Sequence, residues 1–490
     1  MSALEIDLDT GTIRGRRLDD LIAWRGIPYA APPVGALRFR APHPAESWSG
    51  VRQAADFGFR APQRGVSSSD EDCLTLNVLA PSRPSDTPRP VMVFIHGGAY
   101  SSGSSASPLY GGQSLVRRGD IVYVSINYRL GALGYLDFTQ FSTPERPFDS
   151  NLGLRDQVAA LEWVRRNIAA FGGDPDNVTV FGESAGANAV TTLMATPAAK
   201  GLFARAIAES APAASAYSSE RAARWSREFL ALAEVSRSGA ATWLETADCA
   251  EFVKTGMKLA NRGADEEPGT RVFAPVVDGS FLPSHPLDSF ASGSGHPVAL
   301  IIGTNRHEAT VFPWLHDILP TNPDRIDKMF SRLDRSVKDR VIAAYPGYPG
   351  RRAATELGGD VSFWEPSILC AQGNTAVAPT YSYRYDFAPR LLHVLGVGAT
   401  HATELFAVFG STGPSMRVLT ALGGRRGLRA VTDTVQSHWL HFARHGTPGP
   451  GWPRYSLERR ETLIIDETCR IESDPQGARR RDWVGYRHPR

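Results

Sequence analysis

An α/β fold, with a large and mostly parallel sheet flanked by helices, is predicted for this chain by three observations. Several apolar runs stop abruptly at glycines or polar residues, as strands covered on both faces do. An amphipathic helix lies between two of them, giving the strand–helix–strand alternation of a parallel sheet. At 490 residues, 42% of them hydrophobic and 21% charged, the chain can bury a sizeable core. The first run, VMVFIHGG (91–98), ends in glycines, and the second, IVYVSINYR (121–129), is rich in β-branched residues. Segment 151–175, NLGLRDQVAALEWVRRNIAAFGGDP, then carries Val158, Leu161, Val164, Ile168 and Phe171 at three- and four-residue steps, which predicts a helix stopped by GGDP. VTVFGESAG (178–186), VALIIGTN (298–305) and the aromatic TYSYRYDFA (380–388) complete the strands. Segments 212–270 and 310–375 read instead as helical insertions on the sheet, with no strand run. No long linker or internal repeat divides the chain, so a single domain over residues 1–490 is expected.

Composition narrows the function classes. The net charge is +2, with 53 basic and 51 acidic residues, so neither nucleic acid nor an anionic membrane is an expected partner. The one basic cluster, the C-terminal GARRRDWVGYRHPR, reads as a solvated tail. Cys73, Cys249, Cys370 and Cys469 lack metal-ligand spacing and read as free thiols or buried small hydrophobes. The N-terminal MSALEIDLDTGTIRG has no apolar core for a signal peptide, and no run approaches a membrane span. The expectation is a cytoplasmic protein with no metal or organic cofactor.

FGESAGA (181–187) holds the main chemical signal. Ser184 falls on a turn between a strand, VTVF, and a small-residue, helix-compatible segment, AGANAVTTLMAT. A nucleophile elbow bends so sharply that only small residues fit two places away on each side, here Gly182 and Gly186. The bend lifts Oγ above the sheet edge and leaves the Ala185 amide free to donate at the helix N-terminus. HGGAY (96–100), at the end of another strand, is suited to a second function of acyl transfer. Consecutive backbone amides there can stabilise an oxyanion, and loss of one such donor costs on the order of 100- to 1000-fold in rate. Neither glycine run is followed by the G-K-[ST] of a phosphate loop.

These motifs and others spread along the chain resemble the type-B carboxylesterases, the family of bacterial para-nitrobenzyl esterases, animal carboxylesterases and cholinesterases. The resemblance rests on WRGIPYAAPPVGALRF (24–39), EDCLTLNV (71–78), HGGAY, NYRLGALGYL (127–136), the elbow segment, FAPVVDGSFLP (273–283), GTNRHEATVF (303–312), GATHATELFAVFG (398–410) and WLHFARHGTPGPGWPRY (439–455). It implies an α/β-hydrolase fold and a Ser–Glu–His triad in that chain order. Carried over, the nucleophile is Ser184, the acid Glu308 and the base His401, with the amides of Gly98, Ala99 and Ala185 as the oxyanion hole. Ala99 stands where a third glycine is common. Glu183, the rival acid, is expected to point away from the nucleophile and to act from behind the site. The resemblance also implies that Arg38, Glu71, Arg129 and Asp156 form buried ion pairs as scaffold, and leaves Cys73 without the upstream cysteine it pairs with in secreted members. His96, His438, His441 and His445 read as structural.

The implied activity is cleavage of a small-molecule carboxylic ester through an acyl-enzyme. The alternative is a specialised hydrolase of a carbamate, lactone or natural-product ester built on the same machinery. A non-enzymatic relative with a degraded triad is disfavoured because all three triad positions are filled. APQRGVSSSDEDCL offers no aromatic face to a choline cation. Acyl and alcohol preference, monomer or homodimer, and competition by acyl transfer are left open by the sequence.

Overall fold

The computed structural model describes residues 4–315 and 317–490. Its central sheet has eleven strands. In spatial order these are Arg470–Ser473, Glu461–Ile465, Thr380–Tyr385, Ala299–Asn305, Arg205–Glu209, Gly173–Glu183, Arg89–Ile95, Val122–Ile126, Thr75–Pro81, Leu21–Pro28 and Arg16–Leu18. From Glu461–Ile465 to Val122–Ile126 every neighbouring pair is parallel. Antiparallel strands close both edges.

The continuous apolar runs follow from this placement. Val91, Val93 and Ile95 face one core, together with Val122, Val124, Val180 and Leu300. Met92 and Phe94 face the other, with Tyr123, Phe181, Ile207 and Ile301. Each central strand is thus buried on both sides, and alternation of apolar with polar residues is lost. The Leu152–Asn167 helix, continued by a 3₁₀ turn to Phe171, covers the first face with Leu154, Val158, Leu161 and Val164. The Arg425–His445 helix covers the second with Val431, Val435, Trp439 and Phe442.

All five expected strands are present, but the sheet is wider than the sequence reading. Arg205–Glu209 was missed because RAIAE is short and alanine-rich, with little strand propensity. Glu461–Ile465 is five residues and equally inconspicuous. Tyr217–Ser218, inside the first insertion, pairs with Val276–Val277 just beyond its end, and helices Ser219–Leu232, Ala240–Thr246 and Cys249–Glu266 lie between the two. In the second, the helical run 324–345 is two helices, Pro323–Phe330 and Arg335–Ala343, because Asp334 caps the latter by accepting from the Ser336 amide. Helices Arg351–Gly359 and Glu365–Asn374 follow, joined by a π turn.

The C-terminal basic segment is not a free solvated tail. Trp483 and Tyr486 pack into the core of the second insertion with Phe330, Tyr345 and Leu357. Arg479 forms ion pairs with Glu356 and Asp360 at 2.6 and 2.9 Å. Aromatic residues between the arginines supply apolar area to bury, which a count of charges overlooks.

Candidate active site

Ser184 sits between the Gly173–Glu183 strand and the Ala185–Leu193 helix with φ 57° and ψ −122°. A non-glycine residue there is strained by roughly 1–3 kcal/mol, a cost that persists only where the surroundings enforce it. Those surroundings are visible at the two glycines. A Cβ on Gly182 would come 2.6 Å from the backbone of Gly186, and one on Gly186 would come 2.0 Å from the carbonyl oxygen of Ile95. The elbow therefore needs glycine against its own far side and against the neighbouring strand. The Ser184 amide donates to the Glu209 carbonyl at 2.9 Å, which fixes the bend to the next strand.

The turn after Arg89–Ile95 wraps over this elbow. Gly98, Ala99 and Tyr100 have φ of 111°, 53° and 56° in succession. Gly97 lies so close that a Cβ on it would be 2.6 Å from the Glu183 carbonyl oxygen and 3.0 Å from Ser184 Cβ. His96 is buried and stacks on Tyr128 at 4.5 Å, with Nδ1 donating to the Gly97 carbonyl at 2.9 Å. Burial pushes it down to about 4, so it is a neutral structural ring under the turn.

Glu308 and His401 arrive from two further loops. Glu308 follows the Ala299–Asn305 strand, and its Oε2 accepts from His401 Nδ1 at 2.7 Å. Its Oε1 accepts from the Asn305 amide at 2.7 Å and lies 2.6 Å from Ser210 Oγ. Three donors thus fix the position of one carboxylate. The His401 ring packs against Phe363 at 4.4 Å and Phe312 at 5.2 Å, both from the second insertion.

Three more glutamates are buried beside this pair. Ser210 Oγ also lies 3.0 Å from Glu404 Oε1, and Asn305 Nδ2 donates to Glu404 Oε2. One hydroxyl proton cannot serve two carboxylates, so Ser210 donates to Glu308 and accepts from a protonated Glu404. Burial, followed by the charges of Glu183 and Glu308, raises Glu404 in the same sense. Glu209 accepts from Trp439 Nε1 at 2.7 Å and is raised by burial and by Glu404. Glu183, its register partner on the adjacent strand, does not point away from the site. Its Oε1 is 3.1 Å from His401 Nε2, though no hydrogen bond forms there. Glu183 thus lies close to the site, against the imidazole. Burial raises Glu183 as well. For His401, burial works downward but is outweighed by Glu183 and Glu308, and the imidazole is pushed up to about 9.

The structure thus brings Glu308 and His401 together and sets the elbow under the Gly98–Ala99 turn. It does not close a hydrogen bond from Ser184 to His401, whose Nε2 has no hydrogen-bond partner among the described residues. Such bonds are often open in an unliganded site. Among the described residues, no group of three or more His, Cys, Asp or Glu could hold a metal ion. Ser210, Asn305 and Glu404 were missed by the sequence reading. Only Glu404 left a trace there, three residues after His401 in HATE.

The model of the carboxylesterase family matches residues 2–483. This chain belongs to the carboxylesterase family. It is 38% identical to the para-nitrobenzyl esterase of Bacillus subtilis (strain 168), over 96% of each chain. It is 33% identical to the phenmedipham hydrolase of Pseudarthrobacter oxydans, over 95% of each. A solved PNB esterase structure superimposes with a TM-score of 0.88 at 36% identity, covering 99% of this chain and all of the other. The α/β-hydrolase fold of this carboxylesterase-family chain follows from that likeness and from its sheet. Its expected scaffold pairs are present too: Arg38 pairs with Glu71, and Arg129 with Asp156 at 2.6 Å. Cys73 is a buried free thiol, and the other three cysteines are unpaired.

Proposed function

We propose that this carboxylic ester hydrolase works through an acyl-enzyme on Ser184, with His401 as general base and Glu308 as the acid that orients it. The observation that carries the reading is the 2.7 Å contact between His401 Nδ1 and Glu308 Oε2. It fixes the ring so that Nε2, not Nδ1, is the free nitrogen. In the first half-reaction Ser184 Oγ gives its proton to Nε2 and bonds to the ester carbonyl carbon. The oxyanion is held by the amides of Gly98, Ala99 and Ala185, which donate to no acceptor among the described residues. The imidazolium then protonates the departing alcohol as the C–O bond breaks. In the second half-reaction the neutral imidazole takes a proton from water, whose oxygen attacks the acyl carbon and releases the acid and Ser184. Glu308 stabilises the imidazolium each time without taking its proton. Glu404 and Ser210 hold Glu308 in place.

We treat the chain as one catalytic domain whose two helical insertions shape the substrate pocket, since Phe363 and Phe312 from the second reach His401. The unpaired cysteines support placement in a reducing compartment, the cytoplasm. No described helix is long and apolar enough to cross a membrane. The deciding experiment is Ser184→Ala assayed on a p-nitrophenyl ester, with circular dichroism as the check on folding. Turnover should vanish in a folded protein; retained turnover would remove Ser184 from the mechanism.

A further inference from the structure

The near-neutral balance of the whole chain conceals a local excess of positive charge. Arg390, Arg417, Arg425, Arg426 and Arg429 are all exposed. None of them forms an ion pair or a side-chain hydrogen bond among the described residues. They lie on three stretches that pack together: helix Arg390–Val394, helix Pro414–Leu419 and the first turns of helix Arg425–His445. The first two helices touch. A Cβ on Gly424, at the start of the third, would come 3.1 Å from Pro389 Cα. The nearby acids do not neutralise the group. Asp433 pairs with Arg118 at 2.5 Å, and Glu467, which reaches Gly427, pairs with none of the five.

The same face carries uncovered apolar side chains. Seven large apolar residues among those described are more than half exposed, and four of them, Val394, Leu395, Val418 and Leu422, lie here at 67, 63, 64 and 53%. Leu392, Met416, Leu419 and Leu428 turn inward to the core from the same stretches, so the outward four are left over after folding. Such a concentration marks a contact surface. Between the second and third helices a cavity of about 380 Å³ opens, walled by Arg417, Arg425 and Arg429 and floored by Met416 and Leu428.

We propose that this face docks on a membrane of anionic phospholipid, with a phosphate headgroup in the cavity and Val394, Leu395, Val418 and Leu422 at the acyl boundary. A guanidinium fork suits a phosphate, and each arginine near an anionic leaflet adds attraction that salt weakens. Aliphatic tips ringed by arginine are the composition of a surface that lies in the headgroup region. A protein interface is centred instead on Trp and Tyr anchors, and residues 390–429 contain neither. Helix Arg390–Val394 follows the C-terminal end of strand Thr380–Tyr385, the sheet edge at which Ser184 also stands. A docked enzyme would therefore work where apolar esters dissolve. Docking is read without turnover, so its outcome is separate from the acyl-enzyme reading.

The test is co-sedimentation of the full chain with vesicles of equal parts phosphatidylglycerol and phosphatidylcholine, and with vesicles of phosphatidylcholine alone. The protein should pellet with the mixed vesicles, be released by high salt, and stay in solution with the neutral ones. Arg417→Gln, Arg425→Gln and Arg429→Gln together should weaken binding by on the order of tenfold or more. Val418→Asp with Leu422→Asp should also weaken it. Arg16→Gln with Arg17→Gln, exposed on the edge strand Arg16–Leu18, should leave it unchanged. Circular dichroism checks the fold of each variant. No binding to the mixed vesicles, or equal binding to the neutral ones, would overturn the proposal, and both results need only the wild type. So would an equal loss in the Arg16 and Arg17 variant, which would mean diffuse attraction to charge. Full binding by the Val418 and Leu422 variant would overturn it too, leaving a surface for a soluble acidic partner.

Discussion

Replacing Glu183 by glutamine should move the pH dependence of ester hydrolysis toward acid. Glu183 Oε1 stands 3.1 Å from His401 Nε2, on the nitrogen that the proposed mechanism needs neutral to accept the Ser184 proton. At that separation and an effective dielectric of about 20, two full charges attract by roughly 5 kcal/mol. The realised effect is smaller, because burial raises Glu183 itself and its carboxylate is only partly ionised near neutrality. Glu308 remains as the second stabiliser of the imidazolium. Since about 1.4 kcal/mol corresponds to one pH unit, losing a fraction of the attraction should lower the apparent pKa of His401 by about one unit. The sign follows from which form is active. Glu183 favours the charged ring, pushing it up to about 9, so the wild-type enzyme should lose activity as pH falls below that value. Glu183→Gln keeps the shape and deletes the charge, so its limb should lie at lower pH. The assay is kcat/KM for p-nitrophenyl butyrate from about pH 5.5 to about 9.5, corrected for spontaneous hydrolysis, since this profile reports the free enzyme. A limb that stays in place in the variant, or moves to higher pH, would refute the electrostatic reasoning.

Other outcomes follow from the same geometry. Ser210→Ala removes the hydroxyl between Glu308 and Glu404; kcat/KM should drop by about tenfold or more with circular dichroism unchanged, in line with other losses behind a reacting group. Gly97→Ala puts a methyl 2.6 Å from the Glu183 carbonyl and 3.0 Å from Ser184 Cβ, and a nucleophile displaced by ~1 Å should cost about 100-fold in kcat. Arg129→Ala strands the fully buried Asp156 and should lower unfolding free energy by about 3–5 kcal/mol in urea titrations. A loss under 1 kcal/mol would mean that water reaches the carboxylate.

Much of this site was legible because backbone crowding leaves glycines in short motifs. Gly182 is demanded by Gly186 within the elbow, and Gly186 and Gly97 by the meeting of the elbow with the Arg89–Ile95 strand and the turn after it, so both motifs announce themselves in the sequence. The central strands were legible from unbroken apolar runs, whereas Arg205–Glu209, all alanine and charge except Ile207, was not. Ser210 and Asn305 escaped notice for a different reason. Asn305 lies only three residues from Glu308 but ends a strand that looks ordinary alone, and Ser210, just after Arg205–Glu209, meets Glu308 only because that strand and Ala299–Asn305 are neighbours in the sheet. The approach of Glu183 to His401 joins loops more than two hundred residues apart and is not visible from its place beside Ser184.

The most direct measurement is of the covalent intermediate. The enzyme mixed with p-nitrophenyl butyrate and quenched in acid within the first turnovers should carry a butyryl group on the peptide containing Ser184, identified by mass spectrometry. The same peptide in Ser184→Ala should carry none. Turnover with no acylated peptide, or acylation on a different residue, would contradict the acyl-enzyme mechanism.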